Sequence, residues 1–461
     1  MFHQIFISSI LLKTFSKIRF LSLFLGIFVL LPPSVVGQEG FTLPDGTIKD
    51  KIDFELVNNL VVIPVTINGT EFSFLLDTGV NTTILFGLSQ EDSIQLKNTR
   101  PIRIRGLGTG GSIDALRTER NKVTVGNAVD EEHTIYVIFE QSLNLSPRMG
   151  LPIHGIIGYD FFKKFIVKTD YTRKKLTFFD PEKYEPKVCS RCEVFPIRLY
   201  ENKPYIDMKV GSGDTLVDVT LLIDSGASDA LWIFDETIGI VEAPQNYFED
   251  FLGLGLSGNI YGKRSKLKKA QLGTYVLANV NVAYPSEDAL EDIKFYDDRS
   301  GSLGGGILKR FTVTMDYSSQ QMILKKNNSF SDPFYYNMSG ITVEHDGLVV
   351  VKEEQTSDSV KIPTNISSEN DNAFTLQFKT IFNFFLVPRY IVAELRENSP
   401  AALVGLLKND EILSINGRPA YKYKLYEIVA LFSSQEGKRI KLQIERNGVK
   451  LIKKFVLKEV L

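Results

Sequence analysis

The tripeptide Asp-Ser/Thr-Gly occurs twice, as Asp77-Thr78-Gly79 and Asp224-Ser225-Gly226, each at the end of an apolar run, Phe74-Leu75-Leu76 and Leu221-Leu222-Ile223. A carboxylate just past a strand end, in a turn whose glycine permits close approach, is placed to meet a second carboxylate. Two such groups about 3 Å apart resist double ionisation, hold one proton between them and titrate as a unit. The ionised member can draw a proton from a bound water attacking an amide carbonyl, while the protonated member donates to the carbonyl oxygen. That chemistry is peptide hydrolysis, and it needs no metal, cofactor or covalent intermediate.

A single copy is an ordinary turn, but here the surroundings repeat as well. Gly106-Leu107-Gly108-Thr109-Gly110-Gly111 recurs as Gly253-Leu254-Gly255-Leu256-Ser257-Gly258 at the 147-residue offset that separates Asp77 from Asp224. Gly155-Ile156-Ile157-Gly158, Phe165, Val167, Asp170 and Tyr171 match Gly301-Ser302-Leu303-Gly304, Phe311, Val313, Asp316 and Tyr317 at an offset of 146. One residue of slippage is a loop indel, so the period reads as one ancestral lobe used in tandem.

The elements that must position the two carboxylates read as strands. Residues 61–67, the pair Asn68-Gly69 and residues 70–76 predict a β-hairpin with a type I′ turn, whose second strand delivers Asp77. Residues 205–210, the turn Gly211-Ser212-Gly213-Asp214 and residues 217–223 do the same for Asp224. Both glycine patterns fit G-x-G-x-x-G, but neither lies in a βαβ unit, as a dinucleotide site requires. Ser225 is preceded by Ile223-Asp224 rather than a nucleophile motif, His133, His154 and His345 have no triad context, and H-E-x-x-H and G-x-S-x-G are absent from the sequence.

At 461 residues the chain has room for about three domains. With 43% hydrophobic and 23% charged residues, each lobe can bury its own core. A formal net charge of −2 without long single-sign runs gives no footprint for nucleic acid. Residues 1–37 read as a signal peptide: Lys13, Lys17 and Arg19 precede an apolar run over 20–31, Pro32-Pro33 ends it, and Val35-Val36-Gly37 offers a cleavage site. That run is short for ~30 Å of hydrocarbon, and no later segment approaches the length of a span. The expectation is an exported protein, periplasmic or in the cell envelope or extracellular, with no stable membrane span after signal cleavage. Cys189 and Cys192 sit between the repeats, where export favours a small local disulfide. A redox pair would want a helix start beside it, and a four-ligand zinc site its other half.

Taken together, these residues resemble the aspartic peptidases over about 50–326. Each lobe is similar to a retropepsin protomer, and the tandem pair to the two-lobed pepsin-like enzymes. The resemblance implies an all-β bilobal unit, lobe 1 over 38–182 and lobe 2 over 183–330, with Asp77 and Asp224 as the dyad. It implies that the hydroxyls of Thr78 and Ser225 knit the two loops together, that Gly79 and Gly226 allow the tight turns, and that Ile156-Ile157-Gly158 and Ser302-Leu303-Gly304 pack beneath. Gly106, Leu107 and Gly108 would form a flap tip, with Gly253, Leu254 and Gly255 its counterpart. Single-chain family members usually have one dominant flap, and which one closes here is open. A tandem pair has no need to dimerise, so a monomer is expected. Many acid-active members have Ser or Thr after the tripeptide, where this chain has Val80 and Ala227. Losing those donors raises the dyad's apparent pKa values and moves the optimum toward neutrality.

After a polar stretch at 327–333 the sequence changes character. Tyr390-Ile391-Val392-Ala393-Glu394-Leu395, Asn398-Ser399-Pro400-Ala401-Ala402, Gly405-Leu406, Asn409-Asp410-Glu411-Ile412-Leu413 and Ile415-Asn416-Gly417 closely resemble a PDZ domain of the bacterial protease-associated type, over 334–461, with a helix at 425–433 and closing strands at 440–445 and 451–457. Such a domain binds an extended peptide at a sheet edge and often captures its C-terminal carboxylate in a backbone nest. Ser339-Gly340-Ile341 and Asn383-Phe384-Phe385-Leu386 compete for that loop, with a polar insertion over 353–372 between them. The expected function is an exported aspartic endopeptidase acting on polypeptides, its PDZ domain recruiting or gating them. The alternative is a non-catalytic peptide-binding or scaffold protein of the cell envelope. Intact acids and hydroxyls in both tripeptides favour the enzyme.

Overall fold

The computed structural model describes residues 40–461 except 89–93, 107, 109–110, 141–142, 187, 212–214, 235–245, 291–295, 297, 357–359, 363–374 and 378–379, with side chains at 353–382 also outside the description. The expected signal segment lies outside the described residues.

The first repeat supplies β1 (Lys49–Asp53), β2 (Glu55–Val57), β3 (Leu60–Ile67), β4 (Thr70–Leu76), β5 (Thr83–Leu85), β6 (Arg100–Ile104), β7 (Ile113–Val125) and β8 (Ala128–Ile138). A one-turn helix α1 (Ser146–Met149), β9 (Gly155–Ile157), α2 (Tyr159–Phe162), β10 (Ile166–Asp170) and β11 (Lys175–Phe179) complete it. The second supplies β12 (Cys192–Pro196), β13 (Arg198–Tyr200), β14 (Lys203–Gly211), β15 (Val217–Asp224), β16 (Leu231–Ile233), β17 (Phe248–Gly255), β18 (Gly258–Leu272) and β19 (Tyr275–Pro285). It ends with β20 (Arg299–Gly304), α3 (Gly305–Leu308), β21 (Phe311–Asp316) and β22 (Gln321–Lys326).

The two halves are wired alike. One sheet runs β2-β3-β4-β9-β5-β8-β7-β6 and closes on itself through β3–β7; the other runs β13-β14-β15-β20-β16-β19-β18-β17 and closes through β14–β18. Closure removes free edges and encloses a core, which is why β3 is buried at nearly every position instead of alternating. Asn68 and Gly69 both take positive φ, 48° and 93°, the geometry of the type I′ turn. A third sheet, β1-β11-β10-β21-β22-β12, is shared by both halves, with Val167 of β10 facing Met315 of β21. Across the same seam Phe162 stacks on Tyr317, centroids 5.5 Å apart. One continuous apolar core follows, from Val65, Phe74 and Phe161 to Leu221, Leu231 and Phe311.

The C-terminal unit has a core of its own around Val392, Ile412, Ile428, Phe432 and Leu442. Its sheet runs β23 (Ile341–Thr356), β26 (Thr380–Leu395), β27 (Glu411–Ile415), β29 (Arg439–Arg446) and β30 (Val449–Val456), with β28 (Arg418–Pro419) paired to β27 and a separate pair β24 (Val360–Ile362) and β25 (Thr375–Gln377). Two helices, α4 (Pro400–Leu403) and α5 (Leu425–Phe432), pack against it; Ser399 caps α4 by accepting the Ala402 N–H. The described ends of the expected polar insertion continue the β23–β26 ribbon, Thr356 facing Thr380.

This unit is docked rather than tethered. Arg310, 2% exposed, donates to the carbonyls of Ser329, Phe330, Asp332 and Pro333, so the polar stretch is pinned. The Tyr336 hydroxyl donates to Ser265 O and accompanies Val282 O at 2.7 and 3.0 Å. Arg148 of α1 donates to Glu344 (2.8 Å) and Glu394 (3.3 Å), and a Cβ on Gly150 would lie 2.4 Å from Leu425 Cβ. All-β lobes followed by a C-terminal unit of strands and two short helices are the architecture the sequence predicts.

Candidate active site

Each aspartate is delivered by a parallel strand pair. β4 runs beside β9, Leu76 facing Ile157, and β15 beside β20, Asp224 facing Gly304. The Asp77 N–H extends the first ladder by donating to Ile157 O at 2.9 Å. Gly158 and Gly304 back the two loops because nothing larger fits: a Cβ would lie 2.4 Å from Asp77 O in one and 2.4 Å from Asp229 O in the other. The glycines within the tripeptides make room for the opposite lobe. A Cβ on Gly226 would sit 2.2 Å from Asp77 Oδ2, and one on Gly79 would sit 3.0 Å from Asp224 Oδ1. The two carboxylates therefore lie against each other, hydrogen-bonded, at the junction of the halves.

The hydroxyls lock this arrangement from below. Thr78 Oγ1 donates to Ile223 O (2.7 Å) and accepts the Ser225 N–H (3.0 Å); Ser225 Oγ donates to Leu76 O (2.8 Å) and accepts the Thr78 N–H (3.0 Å). Four reciprocal bonds satisfy two backbone donors and two carbonyls that burial would otherwise leave unpaired.

Electrostatics splits the pair. Burial raises the Asp77 carboxyl most, the facing Asp224 adds to it, and the value reaches about 8 against the opposing pull of the Gly79 and Gly226 N–H groups. Burial also raises Asp224, but Arg299, the Gly226 N–H, the bond from Asp77 and Lys203 all favour its charged form. Burial thus favours a proton on the pair, while the cations and N–H groups around Asp224 favour charge on that member.

Both glycine-rich tips reach across the junction and meet. Gly106 N–H donates to Ser257 Oγ at 3.1 Å and Gly108 N–H to Ala289 O at 3.2 Å. Gly108 has φ 129°, and a Cβ there would lie 2.6 Å from Gly258 N. Leu107 lies outside the described residues. Gly253, Leu254 and Gly255 form the arm of β17, the turn itself being Leu256-Ser257, and Leu254 and Leu256 pack, as Ile102, Ile104 and Ile113 do, against an apolar cluster of lobe 1. Among the described residues Gly106 and Gly108 of one tip thus contact Ser257, Gly258 and Ala289 of lobe 2.

Several groups were silent in the sequence. Lys203 and Arg299 of lobe 2 favour the charged form of Asp224. Thr83, His133 and Asp130 form a hydroxyl–imidazole–carboxylate line, His133 Nε2 to Thr83 Oγ1 and Nδ1 to Asp130 Oδ2 both at 2.7 Å. All three are at most 6% exposed, so this line has no access to substrate and serves the core of lobe 1. Cys189 and Cys192 are joined as a disulfide. Among the described residues no group of three or more His, Cys, Asp or Glu is arranged to hold a metal ion, and no helix is long and apolar enough to cross a membrane.

In the C-terminal unit, residues 383–386 lie within β26, Phe384 facing Lys352, so they are strand rather than a carboxylate-binding loop. Ser339-Gly340-Ile341 does lead into β23, but its donors are engaged internally. Asn337 Oδ1 accepts from Ser339 N–H (3.0 Å), Ser339 Oγ (2.7 Å) and Gly340 N–H (3.2 Å), and Ser339 Oγ accepts the Ile341 N–H (3.0 Å). A groove of about 1220 Å³ lies away from the aspartates, between the β17–β18 arm and the C-terminal unit.

Residues 63–161 match the aspartyl protease family, a span that contains Asp77 and Ile156-Ile157-Gly158 but not Asp224, and residues 391–446 match the PDZ domain family. Among solved structures the chain is similar to an aspartic proteinase from Irpex lacteus, at 13% identity and a TM-score of 0.40, with 62% of this chain and 99% of that chain covered. No curated protein matches the sequence. The chain thus joins an aspartyl protease segment in its first half to a PDZ domain near its C-terminus.

Proposed function

We propose that this protein is an exported aspartic endopeptidase in which Asp77 and Asp224 activate one water between them. Asp224, ionised, takes the water's proton; Asp77, protonated, donates to the scissile carbonyl and stabilises the tetrahedral oxyanion. Proton return to the leaving nitrogen restores the pair. The single observation that carries this reading is the seating of each carboxylate against the other lobe's glycine, with the Thr78–Ser225 bonds holding the two loops in register. The basic residues and apolar run at the N-terminus support export. For the PDZ domain, docking on both lobes and the internally satisfied loop at Ser339–Ile341 favour gating over capture of a free C-terminus.

The test is cleavage of a peptide library by the wild type beside Asp77→Asn and Asp224→Asn. Each substitution should lower kcat/KM by at least about 10²–10⁴-fold with the fold retained. Activity that survives either change would remove the dyad and return the scaffold reading.

A further inference from the structure

The internal repeat provides its own control for what is special about the surroundings of each aspartate. In lobe 1, Val62 faces Leu75, and continuing that register sets Leu60 opposite Asp77. In lobe 2, Tyr205 faces Leu222, and the same continuation sets Lys203 opposite Asp224. The strands behind them compare just as closely: Phe86 N–H donates to His154 O where Phe234 N–H donates to Ser300 O, which equates Ile153 with Arg299. Ile156, facing Leu75, equates with Ser302, facing Leu222. Leu60, Ile153 and Ile156 in one half are thus replaced by Lys203, Arg299 and Ser302 in the other.

Arg299 is aimed by the fold. It sits at a register shift between Thr220 and Leu221 and donates to Gly301 O at 3.0 Å and Ser302 Oγ at 2.8 Å, 5.1 Å from the Phe234 ring centroid. Lys203 is partly exposed, as Arg299 is, and forms no salt bridge among the described residues. Beside it Tyr205 and Tyr200 pack on Tyr296, centroids 5.2 and 5.0 Å away, making an aromatic wall. Both cations act electrostatically on Asp224, and a pair that shares one proton offers them a single negative charge. Like charges held together in a partly desolvated site call for a further anion, and a guanidinium beside an ammonium suits a carboxylate.

We propose that the lobe 2 side of the aspartate pair selects an acidic side chain, so that the preferred substrate has Asp or Glu on one side of the scissile bond and an apolar residue on the other. This rests on the peptidase reading and adds the class of substrate. Leu60, Ile156, Leu254 and Leu256 supply the apolar counterpart.

The experiment is kcat/KM for wild-type protein on peptides that vary the two residues flanking the cleaved bond, including Glu/Gln and Asp/Asn pairs. The acidic member should be cleaved about tenfold or more faster than its amide, as one charged hydrogen bond implies. Lys203→Met and Arg299→Met should each bring that ratio toward one, whatever happens to the absolute rate, and Lys203→Glu should shift preference toward Lys or Arg. Dyad-dependent cleavage with no acidic preference in the wild type overturns this inference alone, whether or not the variants fold. A preference unmoved by every variant overturns the assignment of these residues. Absence of dyad-dependent cleavage overturns this inference together with the peptidase reading.

Discussion

In the proposed mechanism Asp77 and Asp224 are the same side chain given different tasks by their neighbours. Arg299 and Lys203 favour charge on Asp224, whereas burial and the partner's charge raise Asp77 against the pull of the Gly79 and Gly226 N–H groups. Because the working pair needs one proton, activity should fall as pH rises through about 8, where Asp77 loses it, and should fall again when acid protonates Asp224. The expected kcat/KM profile is a bell with its maximum near neutrality; a maximum below about pH 4 would contradict it. The linkage sign follows from the same shift. A carboxyl raised in the folded state contributes its stability below the unfolded value of 3.8, and that contribution is lost as pH rises toward about 8. Thermal melts of the wild type should therefore drop over that window, and Asp77→Asn, which cannot ionise, should flatten the drop.

The strand ends matter as much as the acids they deliver. Each loop is anchored by the other lobe's hydroxyl, so neither carboxylate is positioned by its own half alone. Thr78, 3% exposed, is bonded to both Ile223 O and Ser225 N–H. Thr78→Val keeps the shape but strands both groups, and should cost ~1–3 kcal/mol in urea unfolding with a larger loss of kcat than of stability would suggest. Thr78→Ser, which restores the hydroxyl, should recover most of both. The paired tips are a second cross-lobe element. With Gly106 bonded to Ser257 and Gly108 against Gly258, opening one tip must disturb the other.

At the level of assembled units, Arg148 is where three parts meet. Its guanidinium bonds Glu344 and Glu394 of the PDZ unit and lies 4.0 Å from the ring centroid of Phe251, two residues before Gly253 on the β17 arm. Movement of the PDZ unit therefore has a direct mechanical route to the lobe 2 tip. Arg148→Ala should raise hydrogen exchange in both 341–346 and 250–255, and Arg148→Glu combined with Glu344→Arg should restore protection in the first. Exchange that rises in the PDZ strand while the arm stays protected would mean that the two are not coupled through this residue.

Short-range features were readable from residue order: the turn at Asn68-Gly69 from its φ requirement, the strands from their apolar runs, and the duplicated lobe from an offset that holds across the tripeptides and the glycine tips. The pairing of the two aspartates was foreseeable because a repeat with an intact acid in each copy implies a symmetric meeting point. Lys203 and Arg299 carried no such signal, lying 21 and 75 residues from Asp224, and nothing local marks a basic residue as facing an acid. Their place follows from the ladders β14–β15 and β15–β20 and from one register shift. The contact between the two tips, the Thr83–His133–Asp130 line, the role of Asn337 in its own loop and the Arg148 junction have the same origin. Periodicity states which face of a strand is buried, but which strand lies beside it, and in what register, is settled by long-range packing.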